Sequence, residues 1–167
     1  GIENVKISPS PAWLQDRLKA IGLSPLTTVV DITNYILHGL GKHLHAFDAD
    51  KIEGAVHVRQ ATQGEKLVLL NDQEVELQDD VTVIADDQKV LAIGGIMGGL
   101  SSSVTDDTHN IFLESAFFAP LAIAGRARRF GLHTDASQRF ERGVDFELPV
   151  LAMDRASQLI QQLAGGE

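Results

Sequence analysis

Val81-Thr82-Val83-Ile84-Ala85-Asp86-Asp87-Gln88-Lys89-Val90-Leu91-Ala92-Ile93 holds two apolar runs on either side of four polar residues. Val81 to Ala85 and Val90 to Ile93 are predicted strands, and Asp86 to Lys89 the turn of a hairpin. Upstream the period of two continues, with short strands at Val56 and Val58, Leu67 to Leu70, and Val75 with Leu77. Downstream, Gly94-Gly95-Ile96-Met97-Gly98-Gly99 breaks the pattern. Ser101 to Asp107 is a polar loop, and Ile111-Phe112-Leu113 resumes as a buried strand.

Helical spacing brackets this β region. Ser8-Pro9-Ser10-Pro11 opens a helix, with Ser10 as its expected cap and Pro11 in its first turn. Trp13, Leu14, Leu18 and Ile21 carry its apolar spacing, and Gly22 its stop. Asp31 is the expected cap of a second helix reaching Leu40, with Ile32, Tyr35, Ile36 and Leu40 as its stripe and Gly39 and Gly41 at its end. The β-branched run Thr27 to Thr33 competes for a strand there. Leu148 to Leu163 reads as an amphipathic helix with Leu148, Leu151, Leu159 and Leu163 on one side. Strands bracketed by helices, rather than alternating with them, predict an α+β fold: a mixed or antiparallel sheet core flanked by helices, in a single compact domain spanning residues 1–167.

The 167 residues suit one domain, and 44% apolar with 22% charged residues is enough to bury a core. No run of 18 apolar residues occurs, so no membrane span is expected, and no basic, apolar leader opens the chain. Cysteine is absent, which excludes disulfides and thiolate metal ligands and fits a cytosolic origin. A net charge of −9 argues against an autonomous nucleic-acid binder. The chain begins at Gly1 without a methionine, so it is expected to be a piece of a larger protein.

Four segments look unlike plain core. Asp31-Ile32-Thr33-Asn34-Tyr35 sets polar groups in an apolar run, as a helix cap would. His43-Leu44-His45-Ala46-Phe47-Asp48 offers a His-x-His pair, readable as structural histidines, as a base near neutral pH, or as two metal ligands lacking a third. The glycines at 94–99 follow neither the dinucleotide nor the P-loop pattern; they permit close approach of backbone to another segment or to a ligand. Glu114 sits inside an apolar strand and is costly to bury unpaired, so it needs either a buried partner such as an arginine or a donor on a ligand. Five of the eight arginines fall between 126 and 142, against only Asp135 and Glu141 in the same stretch. They read as a salt-bridged face or as phosphate contacts. No G-x-S-x-G elbow, Ser-x-x-Lys or cysteine nucleophile is present, so any catalysis here points to an activated water.

The ordered set Ser-Pro-Ala-Trp-Leu-Gln-x-Arg-Leu from Ser10, Val-Val-Asp-Ile-Thr-Asn-Tyr from Val29, His-Ala-Phe-Asp from His45, Gly-Gly-Ile-Met-Gly-Gly from Gly94, Leu-Glu-Ser-Ala-Phe-Phe from Leu113, Gly-Leu-His-Thr-Asp-Ala-Ser from Gly131 and Arg-Phe-Glu-Arg-Gly-Val-Asp from Arg139 closely resembles the central editing module of the bacterial phenylalanyl-tRNA synthetase beta subunit. The resemblance runs from Ser8 to Gly166. It implies a mixed α and β domain that hydrolyses tyrosine wrongly esterified to phenylalanine tRNA. It also implies editing-site residues at Thr33, Asn34, His45, Gly98, Glu114, Thr134 and Ala136, all matching in type.

On that reading a synthetic pocket made for an apolar ring excludes an added hydroxyl only roughly a hundredfold, and a second pocket must recognise the hydroxyl positively. Glu114 is the candidate reader of the phenol, with Gly98 bringing backbone close to the same oxygen and Ala136 leaving room for the ring. Thr33, Asn34, His45 and Thr134 are candidates for positioning water or substrate, with His45 either a base or a holder of the terminal adenosine. Arg126, Arg128 and Arg129 are candidate tRNA phosphate contacts. The expected partners are the acceptor end of phenylalanine tRNA, the synthetase alpha subunit and the remaining beta modules in an α2β2 assembly, in the cytoplasm, with no membrane. No cofactor or metal is expected in this domain; ATP and Mg belong to the whole synthetase, and this fragment alone would not aminoacylate. Two rivals are a non-catalytic tRNA-docking or scaffold module, which predicts no turnover of the mischarged ester, and a metal-dependent hydrolase built on His43 and His45, which predicts inhibition by chelators.

Overall fold

In the computed structural model, which describes residues 1–167 throughout, Thr82–Ala85 and Val90–Ile93 form the predicted hairpin. The register pairs Val83 with Ile93 and Ile84 with Ala92, and slips at Ala85, which faces Val90. The Asp86 carboxylate accepts the backbone N–H groups of Gln88 and Lys89 and so closes the turn.

In chain order the elements are α1 (Ala12–Ala20), α2 (Thr28–Leu40), β1 (His45–Asp48), β2 (His57–Gln60), β3 (Lys66–Val68), β4 (Glu74–Glu76), β5 (Thr82–Ala85), β6 (Val90–Ile93), β7 (Met97–Gly98), β8 (Ile111–Glu114), α3 (Pro120–Ile123), α4 (Arg126–Arg129), α5 (Asp135–Arg142) and α6 (Leu148–Ala164). All strand pairings are antiparallel, and the fold class is α+β as the sequence predicts. Within the span read as a single domain, the chain folds as two compact units. One comprises Gly1–Asp50, Val104–Ala116 and Asp145–Glu167; the other comprises Lys51–Ser103 and Phe117–Val144.

The first unit is helical, with the two-stranded pair β1–β8. Its core joins Leu14 and Leu18 of α1, Val29, Ile32 and Ile36 of α2, Ile111 and Leu113 of β8, and Ala152, Ala156, Leu159 and Ile160 of α6. The β-branched start of α2 is helical because Val29 and Ile32 bury completely, a gain that outweighs their modest preference for strands. Gly41 ends α2 in the left-handed conformation, its N–H bonded to the Leu37 carbonyl.

Three helix details depart from expectation. Ser10 does not cap α1, whose cap is Pro11; its hydroxyl instead donates to Asp31 Oδ2 at 2.6 Å. Asp31 does not cap α2, which starts after Thr27; it is fully buried inside the helix, where Oδ1 also accepts from Leu26 N. On α6 the buried stripe is Ala152, Ala156, Leu159, Ile160 and Ala164, while Leu151 is exposed. The small alanines let α6 approach α2 closely, so the helix turns its compact side inward.

The second unit is built on the sheet β2–β5–β6–β7, with the hairpin β3–β4 beside it through the Leu69–Gly99 bridge. Every residue of central β6 is buried, which is why it reads as an unbroken apolar run, whereas Val58 on edge strand β2 is exposed. The glycines after β6 serve packing. A Cβ on Gly95, at φ +68°, would lie 3.0–3.1 Å from Ile123, Phe118 and Phe140. Phe118 and Phe140 stack edge to face here, with ring centroids 5.3 Å apart.

Candidate functional site

Alternation along the β1–β8 pair sorts its side chains into two faces. Ala46, Ile111 and Leu113 join the core of the first unit. The opposite face carries His45, Phe47, Phe112 and Glu114, with His45 directly across from Glu114 and Phe47 across from Phe112. Cross-strand partners hold their Cβ atoms about 5 Å apart, so the imidazole and the carboxyl share one small surface. Phe47 stacks edge-on against His45 with ring centroids 4.5 Å apart, and lies 6.3 Å from the Phe112 ring.

This apolar setting governs the chemistry. Burial pushes the Glu114 carboxyl up to about 7, against the pull of the Lys42 ammonium. Burial pushes His45 down to about 4, so its ring is neutral at physiological pH. His45 Nε2 is enclosed and has no hydrogen-bond partner. Lys42 is completely buried, and its Nζ donates to the Ala116 carbonyl. Burial lowers its pKa while the Glu114 carboxylate raises it. No arginine meets Glu114; the charge that acts on it is the Lys42 ammonium, whose own hydrogen bond goes to the Ala116 carbonyl.

Thr33 and Asn34 lie on α2, which packs against β1. The Thr33 hydroxyl donates to the Val30 carbonyl at 2.8 Å, leaving only acceptor capacity, while the half-buried Asn34 amide bonds to nothing in the protein. Two hollows indent the first unit: one of about 350 Å³ between Arg17, Tyr35 and His38, and one of about 240 Å³ beside Ser115, Pro149 and Met153. No predicted site residue lines either.

The second unit holds the other predicted residues. Gly98 is buried on β7, and its carbonyl accepts from Leu70 N. Thr134 caps α5 in a reciprocal capping box with Ser137, and its hydroxyl donates to the Ile96 carbonyl at 2.9 Å. Ala136 is buried in the first turn of α5.

The B3/4 domain family model matches residues 1–165. The chain belongs to the B3/4 domain family. It is 70% identical over 167 residues to the phenylalanine–tRNA ligase beta subunit of Acinetobacter baylyi, covering 99% of this chain and 21% of that protein. It is 61% identical over 158 residues to the beta subunit of Psychrobacter arcticus, covering 95% of this chain and 20% of that protein. The B3/4 domain thus spans about a fifth of the length of these curated relatives. Its fold is also similar to the crystal structure of an N-terminal fragment of the phenylalanyl-tRNA synthetase beta subunit from Pyrococcus horikoshii, with a TM-score of 0.50 at 16% identity over 93% of this chain and 43% of that one.

The arginines of this B3/4 domain differ in availability. Arg129 makes a bidentate pair with Asp80 at 2.6 and 2.8 Å, and Arg126 Nε lies 3.5 Å from the same carboxylate. Arg126 also donates to the Leu121 and Ala124 carbonyls. Arg128 alone of the three is exposed without a partner. Asp80, the carboxylate that meets Arg129 and Arg126, arrives from far away in sequence and leaves no mark within residues 126–142. Lys42 was missed too: no periodicity or motif marks it, and its one signal is a charge placed between a helix-ending glycine and the apolar Leu44. No group of three or more His, Asp or Glu side chains converges with metal-binding geometry.

Proposed function

We propose that this B3/4 domain removes tyrosine wrongly esterified to phenylalanine tRNA, as the editing part of a phenylalanine–tRNA ligase beta subunit. The names of its relatives support the ligase setting. One observation carries the editing reading: a carboxyl, Glu114, held in an aromatic, desolvated surface opposite a neutral, unpartnered imidazole. A phenolic hydroxyl donates a charge-assisted hydrogen bond to that carboxylate. Phenylalanine offers no donor and leaves the group dry and unpaired, a penalty of about 1–3 kcal/mol that spares the correct ester.

The ester is already activated, so positioning a water suffices. The water oxygen attacks the carbonyl carbon, and the bond from that carbon to the ribose oxygen breaks. The ribose hydroxyl leaves with a proton from the water, and tyrosine is released. His45, with a conjugate acid near 4, is too weak a base to take that proton efficiently at neutral pH. Its role in this proposal is to hold water or the terminal adenosine through Nε2. Asn34, with both donor and acceptor unused, is better suited to orient the water than Thr33, whose proton is committed to Val30. For the second unit the proposal rests on residue type: Gly98, Thr134 and Ala136 match the substrate-contacting positions that the resemblance implies.

Aminoacylation, with ATP and Mg, falls to the alpha subunit, and gripping the tRNA to the remaining beta modules, of an α2β2 ligase in the cytoplasm. The domain's own net charge of −9 suits a part that receives only the acceptor end of the tRNA. The test supplies Tyr-tRNA and Phe-tRNA to the complete ligase. Unaltered enzyme should deacylate the tyrosine ester preferentially, Glu114→Ala should abolish the preference, and His45→Ala should slow turnover of both esters. Equal turnover of both esters by the unaltered ligase would contradict the proposal.

A further inference from the structure

We propose that Lys42 is a positioning residue that braces the strand ends carrying His45 and Glu114 and sets a cation near the Glu114 carboxyl, and thereby tunes the specificity of the site for a phenolic side chain. This rests on the editing reading above.

Lys42 follows directly on the glycine that ends α2 and precedes β1 by three residues. Its side chain is completely buried, and its ammonium reaches the Ala116 carbonyl, two residues beyond Glu114. One side chain thus ties the start of β1 to the exit of β8, the two strands whose ladder sets His45 opposite Glu114. An apolar side chain would fill this space without the desolvation cost of a buried ammonium, so a purely structural fastening is a poor reason for a lysine. Glu114, two residues before that carbonyl, is the carboxylate whose charge raises the Lys42 pKa against the effect of burial.

The charge matters for recognition. An ionised carboxylate only accepts hydrogen bonds, which suits the phenolic proton; a protonated one is a weaker acceptor and adds a donor of its own. Amid Phe47, Phe112 and the His45 ring, burial alone would keep Glu114 protonated, and Lys42 supplies the opposing field. His45, the other titratable group on that face, is neutral and adds no charge.

The experiment compares unaltered ligase, Lys42→Met, Glu114→Gln and the double variant. It measures deacylation of Tyr-tRNA and Phe-tRNA between pH 6.5 and 8.5, corrected for uncatalysed hydrolysis. Lys42→Met should lower the Tyr/Phe rate ratio at pH 7 about tenfold, the value of one charge-assisted hydrogen bond. The ratio should climb back as the pH rises, because the carboxyl then ionises without help. In the Glu114→Gln background, Lys42→Met should leave the ratio unchanged. A Lys42→Met ratio equal to that of unaltered enzyme, or one that falls and stays low at every pH, would overturn the role of Lys42 and leave the editing reading intact. Unaltered ligase that shows no preference for the tyrosine ester would overturn the editing reading, and the role of Lys42 with it.

Discussion

His45 and Glu114 face each other across the β1–β8 ladder, and the same apolar surface moves their titrations in opposite directions, His45 down to about 4 and Glu114 up to about 7. Each is thereby held uncharged over much of the range in which it would ordinarily be ionised. Holding both groups uncharged in this way costs stability at the pH where each would ionise in the unfolded chain.

The first prediction is the pH signature of that cost. Glu114 binds its proton more tightly folded than unfolded, so stability falls as the pH rises from 4.5 through about 7. His45 does the reverse: the unfolded chain takes up the proton, and stability is lost as the pH falls from 6.5 towards about 4. Relative to the unaltered chain, Glu114→Gln should therefore be more stable at pH 8 than at pH 4.5, by on the order of 3 kcal/mol. His45→Gln should gain at pH 4.5 relative to pH 8. Denaturant midpoints across this range check both, and variants whose pH profiles run parallel to the unaltered chain would contradict the assignment.

Asp31 joins two segments by accepting from the Ser10 hydroxyl and from Leu26 N while wholly buried. Asp31→Ala leaves both donors without a partner inside the first unit. A loss of about 2–4 kcal/mol is expected in urea unfolding. Ser10→Ala, which removes one donor along with its bond, should cost about 1 kcal/mol.

Gly95→Ala combines a positive φ with a Cβ pressed against Ile123, Phe118 and Phe140. A destabilisation of about 2–3 kcal/mol is expected, above the roughly 1 kcal/mol of the conformational penalty alone. Trimming the neighbour in Ile123→Val should recover part of it, which a double-mutant cycle measures.

If the arginines of α4 meet tRNA phosphates, their availability sets the order of effects. Arg128→Ala should reduce the salt dependence of tRNA binding by the complete ligase by about one unit of slope. Asp80→Asn should tighten binding by releasing Arg129 and Arg126 from their shared carboxylate. Filter-binding titrations at several salt concentrations check both.

The elements set by local periodicity were legible in the sequence: the hairpin at 81–93, the apolar stripe of α2 with its glycine stop, and the strand at β8, though Phe112 is half-buried rather than buried as read. What joins residues distant in the chain was not. Ser10 pairs with Asp31 across 21 positions, Arg129 with Asp80 across 49, and Lys42 with the Ala116 carbonyl across 74. Cap rules look three residues ahead and therefore misassigned both Ser10 and Asp31. Leucines weighed more than alanines in reading α6, whereas the close approach to α2 selected the alanines. For the candidate site, the residue types His45 and Glu114 stood out singly, but their opposition depends on strand register. The lysine that answers Glu114 carries no local signal beyond its apolar neighbourhood.

The most direct test of Glu114 as the proposed half-buried, ionisable reader of the tyrosine hydroxyl is the ratio of Tyr-tRNA to Phe-tRNA deacylation by the complete ligase at pH 6 and at pH 8. The account predicts a ratio about tenfold higher at pH 8, where Glu114 is ionised, and no such rise in Glu114→Gln. A ratio that stays flat between those pH values in the unaltered enzyme would contradict it.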